Sequence, residues 1–201
     1  MNRMLSPRFA AIIGAVCLLG CSAAGFFRVQ PQPTTEEGAW AVARDRATSG
    51  GSIYDHLAAV AFVKAVYLAP DVREKSVLRI ATWKAMTGEE RDKLLASERE
   101  DAAHFEEFLL SFFTPDLEDN DLGAPKSGWR LALLLPGGAQ ALPVRIEQVK
   151  PDVMMRALYP SVGHFDSVYR VRFPKAGEPL AGRTFTLRLA GAKGRVDLQY
   201  Q

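Results

Sequence analysis

The amino-acid sequence predicts an α+β fold, mainly an antiparallel, immunoglobulin-like β-sandwich with an inserted α-helical hairpin. Two observations lead to this prediction. From Trp129 onward, apolar and polar residues alternate in short stretches separated by turn residues, which is typical of half-buried strands in two-sheet proteins. Within residues 71–103, apolar residues instead recur at helical spacing in two stretches joined near Gly88. We therefore expect strands to form the body of the domain and the helices to be an insertion.

Five strands are predicted in the C-terminal part of the chain. Their spans are 129–135, 144–149, 169–173, 185–189 and 196–200. The first two are separated by Pro136-Gly137-Gly138, a turn signal that predicts a hairpin. In the third strand, apolar residues alternate with Arg170 and Arg172, so one face is apolar and the other carries charge.

A short packing helix is predicted after residue 34. Thr34 and Glu37 fit a capping box, and Trp40, Ala43 and Ala47 share one helical face. A serine followed by two glycines is expected to end this helix.

The inserted hairpin rests on two further helix-start signals. Asp71 can cap a first helix, and Thr87 with Glu90 offers a capping box for a second helix that runs to about residue 103. The hairpin is therefore predicted over about 71–103, followed by a β-rich part over 105–201.

Two apolar stretches allow both strand and helix. Residues 57–68 suit a strand covered on both faces, although periodicity does not distinguish it from a buried helix. In the stretch 105–113, the aromatic residues fit a helical stripe, yet Phe108, Leu110 and Phe112 also alternate as in a strand. We favour strands for both.

The N-terminus has the three-part layout of a secretory signal. Arg3 and Arg8 make it basic, an apolar stretch of about 12 residues follows, and Gly20 precedes Cys21. This stretch is shorter than the roughly 20 apolar residues that a membrane-spanning helix needs. Leu18-Leu19-Gly20-Cys21 resembles the lipobox of bacterial lipoproteins, and ordinary signal cleavage after Ala23 or Ala24 is the alternative.

The lipobox resemblance implies a processing route and a location. Residues 1–20 would be a cleaved signal peptide, and Cys21 would carry acyl chains such as palmitate that hold the protein in a lipid bilayer. Ser22 implies export to the outer membrane, with the protein facing the periplasm of the cell envelope. Residues 21–35 would then be a lipidated cysteine and flexible tether, and residues 36–201 a single globular domain.

Cysteine content and charge restrict the remaining function classes. Cys17 lies in the leader and Cys21 would carry lipid, so no disulfide is expected. The predicted mature chain is neutral, with a net charge of −6 over residues 21–127 and +6 over 128–201. We interpret this asymmetry as two halves that face each other, because the basic residues form no run of the kind that binds nucleic acid.

Catalytic and metal motifs are sparse. Ser161, His164 and Asp166 are the residue types of a hydrolase triad, although a turn explains them better. Single histidines at 56, 104 and 164 do not indicate a zinc site, and the acidic stretch 116–121 lacks the spacing of a calcium loop. We expect no enzyme activity, no cofactor and no metal.

Three functions remain after these exclusions. The favoured one is a non-catalytic envelope lipoprotein that binds another envelope component, such as a protein partner, in an assembly or structural role. The alternative is a module that binds an anionic glycan or lipid headgroup through Arg170, Arg172 and Arg188. A hydrolase using His164 is the third. Trp83 and Tyr159 are additional candidates for contact residues.

Overall fold

The structure is a computed structural model that describes residues 36–201, with side chains from Gly38 onward. These residues belong to one compact unit. The lipobox with Cys21, the tether at 21–35 and Thr34 of the first capping box lie outside the described residues. What the sequence predicts for them stays a prediction.

Four α-helices and nine strands follow one another in the described part of the chain. The helices are α1 (Glu36–Arg46), α2 (Pro70–Trp83), α3 (Gly88–His104) and α4 (Val153–Leu158). The strands are β1 (Thr48–Asp55), β2 (Ala58–Tyr67), β3 (Phe105–Phe113), β4 (Trp129–Leu134), β5 (Gln140–Ala141), β6 (Arg145–Val149), β7 (Ser167–Pro174), β8 (Phe185–Gly191) and β9 (Gly194–Tyr200). A single 3₁₀ turn, Leu117–Asp119, lies between β3 and β4.

The strands form two antiparallel sheets. Sheet A has the order β1-β2-β3-β7-β6, and sheet B has the order β5-β4-β8-β9. Every pairing is antiparallel, with Leu110 of β3 opposite Tyr169 of β7 and Leu187 of β8 opposite Leu198 of β9. The fold is therefore α+β with a two-sheet arrangement, as the sequence predicts.

Aromatic side chains fill the space between the two sheets. Phe108 and Phe173 of sheet A are fully buried and pack edge to face, and Phe185 and Tyr200 of sheet B stack with their ring centroids 4.9 Å apart. Tyr67 of β2 contacts both groups. Burying rings of this size contributes a large share of the stability of such a core.

The helices cover the opposite face of sheet A. Side chains alternate along β3, so Phe108 points toward sheet B while Glu107 points toward Arg73 of α2. Asp101 of α3 reaches Arg172 of β7 in the same way. The molecule therefore has three layers: helices, sheet A and sheet B.

Most predicted elements are confirmed. Trp40, Ala43 and Ala47 are buried along α1, and α2 with α3 forms the expected helical hairpin. Thr87 and Glu90 make a complete capping box, because the Thr87 hydroxyl accepts from the Glu90 backbone N–H while the Glu90 carboxylate accepts from that of Thr87. Both ambiguous stretches are strands, β2 and β3.

The predicted hairpin between 129–135 and 144–149 is wrong. β4 pairs with the two-residue strand β5, while β6 pairs with β7 in the other sheet. The chain changes sheets at Leu142-Pro143, where proline supplies no backbone donor for a ladder. The backbone N–H of Val144 then donates to the carbonyl of Arg172, 2.8 Å away, which places the chain in sheet A.

The first helix ends at Arg46, shortly before Ser49-Gly50-Gly51, and these three residues lie in β1, a strand that the sequence pattern did not predict. The absence of a side chain at Gly51 is required by the packing of β1 against β9. A Cβ atom on Gly51 would lie 2.5 Å from Cγ2 of Val196, so only glycine allows β1 to approach β9 this closely.

Two helix starts differ from expectation. Asp71 does not cap α2, since Ala69 is the N-cap residue and Pro70 occupies the first turn, where its missing N–H costs nothing. The helix α4 was not predicted. It begins at an Asp152 cap whose carboxylate accepts from the backbone N–H of Met155 at 2.7 Å.

Candidate binding groove

An open groove of about 730 Å³ lies between α1, α2 and one end of the sandwich. Val42 and Ala43 of α1 form one wall, and Val72 of α2 lies on another. The loop at 180–182 closes a further side, and Tyr200 of β9 lies at the bottom. Ligand sites in proteins have volumes of roughly 300 to 1,000 Å³, so this groove is of a size that suits a ligand.

The floor of the groove is aromatic and offers few polar groups. Tyr67, Phe185 and Tyr200 line it, but both tyrosine hydroxyls are already used inside the protein. The Tyr67 hydroxyl donates to Glu106 Oε2 at 2.6 Å, and the Tyr200 hydroxyl donates to the carbonyl of Ala65 at 2.9 Å. Burial raises the pKa of both tyrosines, and the bond to Glu106 raises that of Tyr67 further. The floor therefore presents apolar surface.

Charged side chains lie at the rim. Arg46, Asp71 and Lys75 line the groove, and Lys75 Nζ pairs with Asp71 Oδ2 at 3.2 Å. Arg46 makes no ion pair with a carboxylate within the described part of the chain. Of the charged side chains described at this rim, Arg46 is therefore the cation without a carboxylate partner.

A buried charge cluster attaches the helical hairpin to sheet A. We call it the Glu107 cluster: Glu107 lies among Arg73, Arg170 and Arg172. Arg73 Nη2 and Arg172 Nε donate to Glu107 Oε2 at 3.1 and 2.9 Å, and Arg170 Nε makes an ion pair with Oε1 at 3.1 Å. Glu107 is 0% exposed and the Arg73 side chain 2%.

Carboxylates of the hairpin complete the Glu107 cluster. Glu98 of α3 accepts from Arg73 Nη1 at 2.5 Å, and Asp101 accepts from Arg172 Nη2 at 3.1 Å. Burial lowers the pKa of Arg73, but Glu107 and Glu98 act more strongly together and raise it above its ordinary value. Three arginines and three carboxylates balance in charge, so the cluster fixes α2, one wall of the groove, to sheet A.

The arginines predicted to bind an anion do not share one surface. Arg170 and Arg172 belong to the Glu107 cluster on the helix side of sheet A. Arg188 lies on sheet B, where Nε and Nη2 each donate to a carboxylate oxygen of Asp197 at 2.7 Å. Anion binding by these residues stays a prediction, and each of them already faces a carboxylate.

The triad residue types before β7 are not linked to one another. His164 is exposed, while Asp166 accepts from the backbone N–H of Gly163 at 2.8 Å and from the hydroxyl of Ser111 in β3. Within residues 38–201, no hydrogen bond or ion pair joins Ser161, His164 and Asp166. Asp166 thus fixes its loop to sheet A.

The acidic stretch 116–121 is held by internal contacts. Asp116 caps the 3₁₀ turn, Asp119 pairs with Lys193, and Asp121 accepts from the Ser127 hydroxyl at 2.8 Å. The hydrogen bond to Asp119 raises the pKa of Lys193. These partners explain the acidic residues as a folded turn. No group of three or more His, Cys, Asp or Glu side chains is placed to hold a metal ion among the residues described.

The remaining candidate residues lie apart from one another in the fold. Tyr159 is buried, with its ring centroid 5.7 Å from that of Trp40, and burial raises its pKa to about 12. Trp83 is partly exposed and stacks on the guanidinium of Arg79. His56 lies in the turn between β1 and β2, and His104 ends α3. No described helix is long and apolar enough to span a bilayer.

The groove is not among the features predicted from the sequence, although the sequence contains one signal for it. Ala39, Val42, Ala43 and Arg46 recur at helical spacing, beside the face that Trp40 buries. This second strip lines the groove. The partners across it, Leu180 and Tyr200, are far away in sequence.

Comparison with protein families, with characterised proteins and with solved structures gives no match in any of the three.

Proposed function

We propose that this protein is a membrane-anchored lipoprotein of the cell envelope that acts as a binding protein and not as an enzyme. Two features support the proposal. The Leu18-Leu19-Gly20-Cys21 motif resembles a lipobox, and acyl chains on Cys21 would hold the domain at a membrane surface. The domain itself offers a groove, while its triad-type residues are unconnected.

The observation that carries the proposal is the groove beside α1. It is concave, apolar inside and charged at its rim, which is the usual character of a binding site. Val42 on its wall is 46% exposed, so an apolar side chain is available to a partner. In this proposal the groove holds another component of the envelope and thereby serves an assembly or structural role.

Two finer points belong to the same proposal. The two sheets would form an immunoglobulin-like sandwich, supported by their antiparallel pairing and by the change of sheet between β5 and β6. The location would be the outer membrane, facing the periplasm, supported by Ser22 after the lipobox. Binding of an anionic glycan or headgroup by Arg170, Arg172 and Arg188 has less support, because these side chains pair with Glu107 and Asp197.

Site-specific photo-crosslinking in the native envelope tests the binding role. A benzophenone amino acid at position 42 reports on the groove, and the same residue at Leu117, which is 79% exposed and outside the groove, is the matched control. We expect a discrete adduct from position 42 that position 117 does not give. Identical adducts from both positions, or none from position 42, would contradict the proposal.

Metabolic labelling with palmitate tests the anchor separately. The wild-type chain should incorporate the label and sediment with membranes, and Cys21→Ser should do neither. A labelled Cys21→Ser chain, or an unlabelled wild-type chain, would show that the lipobox assignment is wrong.

A further inference from the structure

We propose that the groove binds a single-chain amphiphile with an anionic headgroup, such as a long-chain carboxylate. This inference rests on the proposed function, because it takes the groove to be the binding site, and it names the chemical class of the ligand. The hydrocarbon chain would lie over the aromatic floor, and the headgroup would lie at the rim near Arg46.

The floor favours hydrocarbon over a sugar or a peptide. Those ligands need hydrogen-bonding groups to replace the water that they lose. The Tyr67 and Tyr200 hydroxyls are committed to Glu106 and to the Ala65 carbonyl. Leu180, Phe185 and Val72, which are 1–3% exposed, add apolar side chains to the lining. A hydrocarbon chain loses nothing by this lack of polar partners, and each buried methylene adds to its affinity.

The rim favours a negative headgroup. Lys75 is already paired with Asp71, which leaves the charge of Arg46 without a carboxylate partner among residues 38–201. Arg46 lies one helical turn beyond Val42, on the groove side of α1. A carboxylate at the mouth could pair with this guanidinium in a bidentate geometry, whereas a cationic headgroup would be repelled.

The volume of the groove suits a ligand of this size. It is about 730 Å³, within the roughly 300 to 1,000 Å³ that is typical of small-molecule sites. In this proposal the occupant is a single-chain molecule such as hexadecanoate.

Photoaffinity labelling with a defined probe tests the inference. The full lipidated protein is reconstituted in phosphatidylcholine vesicles with hexadecanoate that carries a diazirine on its chain, and labelled peptides are identified by mass spectrometry. We expect label on α1 and on residues 180–185. Hexadecanoate should compete at least about fivefold better than hexadecyltrimethylammonium, the ratio expected for one charge contact of about 4 Å in water.

Variants of the groove provide the matched controls. Val42→Glu places a charge on the groove wall and should reduce labelling at least tenfold, whereas Leu78→Glu, on a similarly exposed residue of α2 outside the groove, should leave it unchanged. Ala39→Trp should reduce labelling by filling space, without adding charge. Arg46→Gln should lower the preference for hexadecanoate over the ammonium competitor.

The contrary outcomes are distinct. Label spread over other surfaces, or equal label in Val42→Glu and wild type, would overturn the inference, and equal competition would overturn the anionic headgroup. A protein adduct at position 42 without fatty-acid label would overturn the ligand class and leave the proposed function standing. A crosslink from position 42 to residues 22–35 of the same chain would overturn both.

Discussion

Replacing Glu107 by glutamine should strongly destabilise the fold. The substitution keeps the shape of the side chain but leaves Arg73, Arg170 and Arg172 around a neutral amide. Arg73 is the critical partner, because its side chain is 2% exposed and has little access to water. A buried charge that loses its partner is strongly destabilising.

The magnitude follows from the contacts that remain. Breaking a buried ion pair costs about 3–5 kcal/mol, and the lower end applies here because Arg73 keeps Glu98 and Arg172 keeps Asp101. A loss of about 3 kcal/mol is a large part of the 5–15 kcal/mol that holds a typical domain together. With a urea m-value of about 2 kcal/mol/M, the midpoint should fall by about 1.5 M.

Urea unfolding of Glu107→Gln, Arg73→Met and the double variant measures both the cost and the coupling. We expect a coupling free energy above about 1 kcal/mol between the two positions, since they share one network. Glu147→Gln is the control, because Glu147 is half exposed beside Arg145 and should change stability by less than about 0.5 kcal/mol. A cost below about 1 kcal/mol for Glu107→Gln would refute the reasoning.

Three further predictions concern local features. Gly51→Ala should lower the free energy of unfolding in urea by about 1–3 kcal/mol, because the new Cβ would meet Val196. Gly177 lies in open space, so Gly177→Ala should be nearly neutral. Equal losses for the two variants would contradict the close approach of β1 and β9. Thr87→Ala should cost about 1 kcal/mol through loss of the α3 cap, and an unchanged midpoint would show that the capping box contributes nothing. Hydrogen bonds from Thr87 lower the pKa of Glu90 below its ordinary 4.5. The difference in unfolding free energy between wild type and Glu90→Ala should therefore be full above about pH 5 and should vanish as the pH falls through the folded-state pKa. A difference that does not depend on pH would contradict this.

Local signals were sufficient for most elements. The Thr87–Glu90 capping box predicts the start of α3, because both hydrogen bonds form between residues three apart. Alternation predicts β7 and β8, because each has one face in the core. Even the ambiguous stretch at 105–113 was assigned correctly from Phe108, Leu110 and Phe112, which all point toward sheet B.

Features set by distant residues could not be predicted in this way. The glycines of β1 are typical of a loop in sequence. In the structure, Gly51 is needed because a larger residue there would collide with Val196 of β9. The turn at Pro136-Gly137-Gly138 does form a hairpin, but its second strand is β5 and not β6. The groove could not be predicted for the same reason, because its walls come from three distant parts of the chain: α1, α2 and the residues near Leu180.

The charge asymmetry of the sequence has a structural explanation in these distant contacts. Acidic residues of the N-terminal part pair with basic residues of the C-terminal part, and the pairs are Glu107 with Arg170 and Arg172, Asp101 with Arg172, Glu106 with Lys175, and Asp119 with Lys193. The halves of net charge −6 and +6 therefore neutralise each other within one fold. The arginines of β7 are consumed in this way, and they do not line the groove. The arginine that lines it is Arg46, on the acidic half, which composition alone would not suggest.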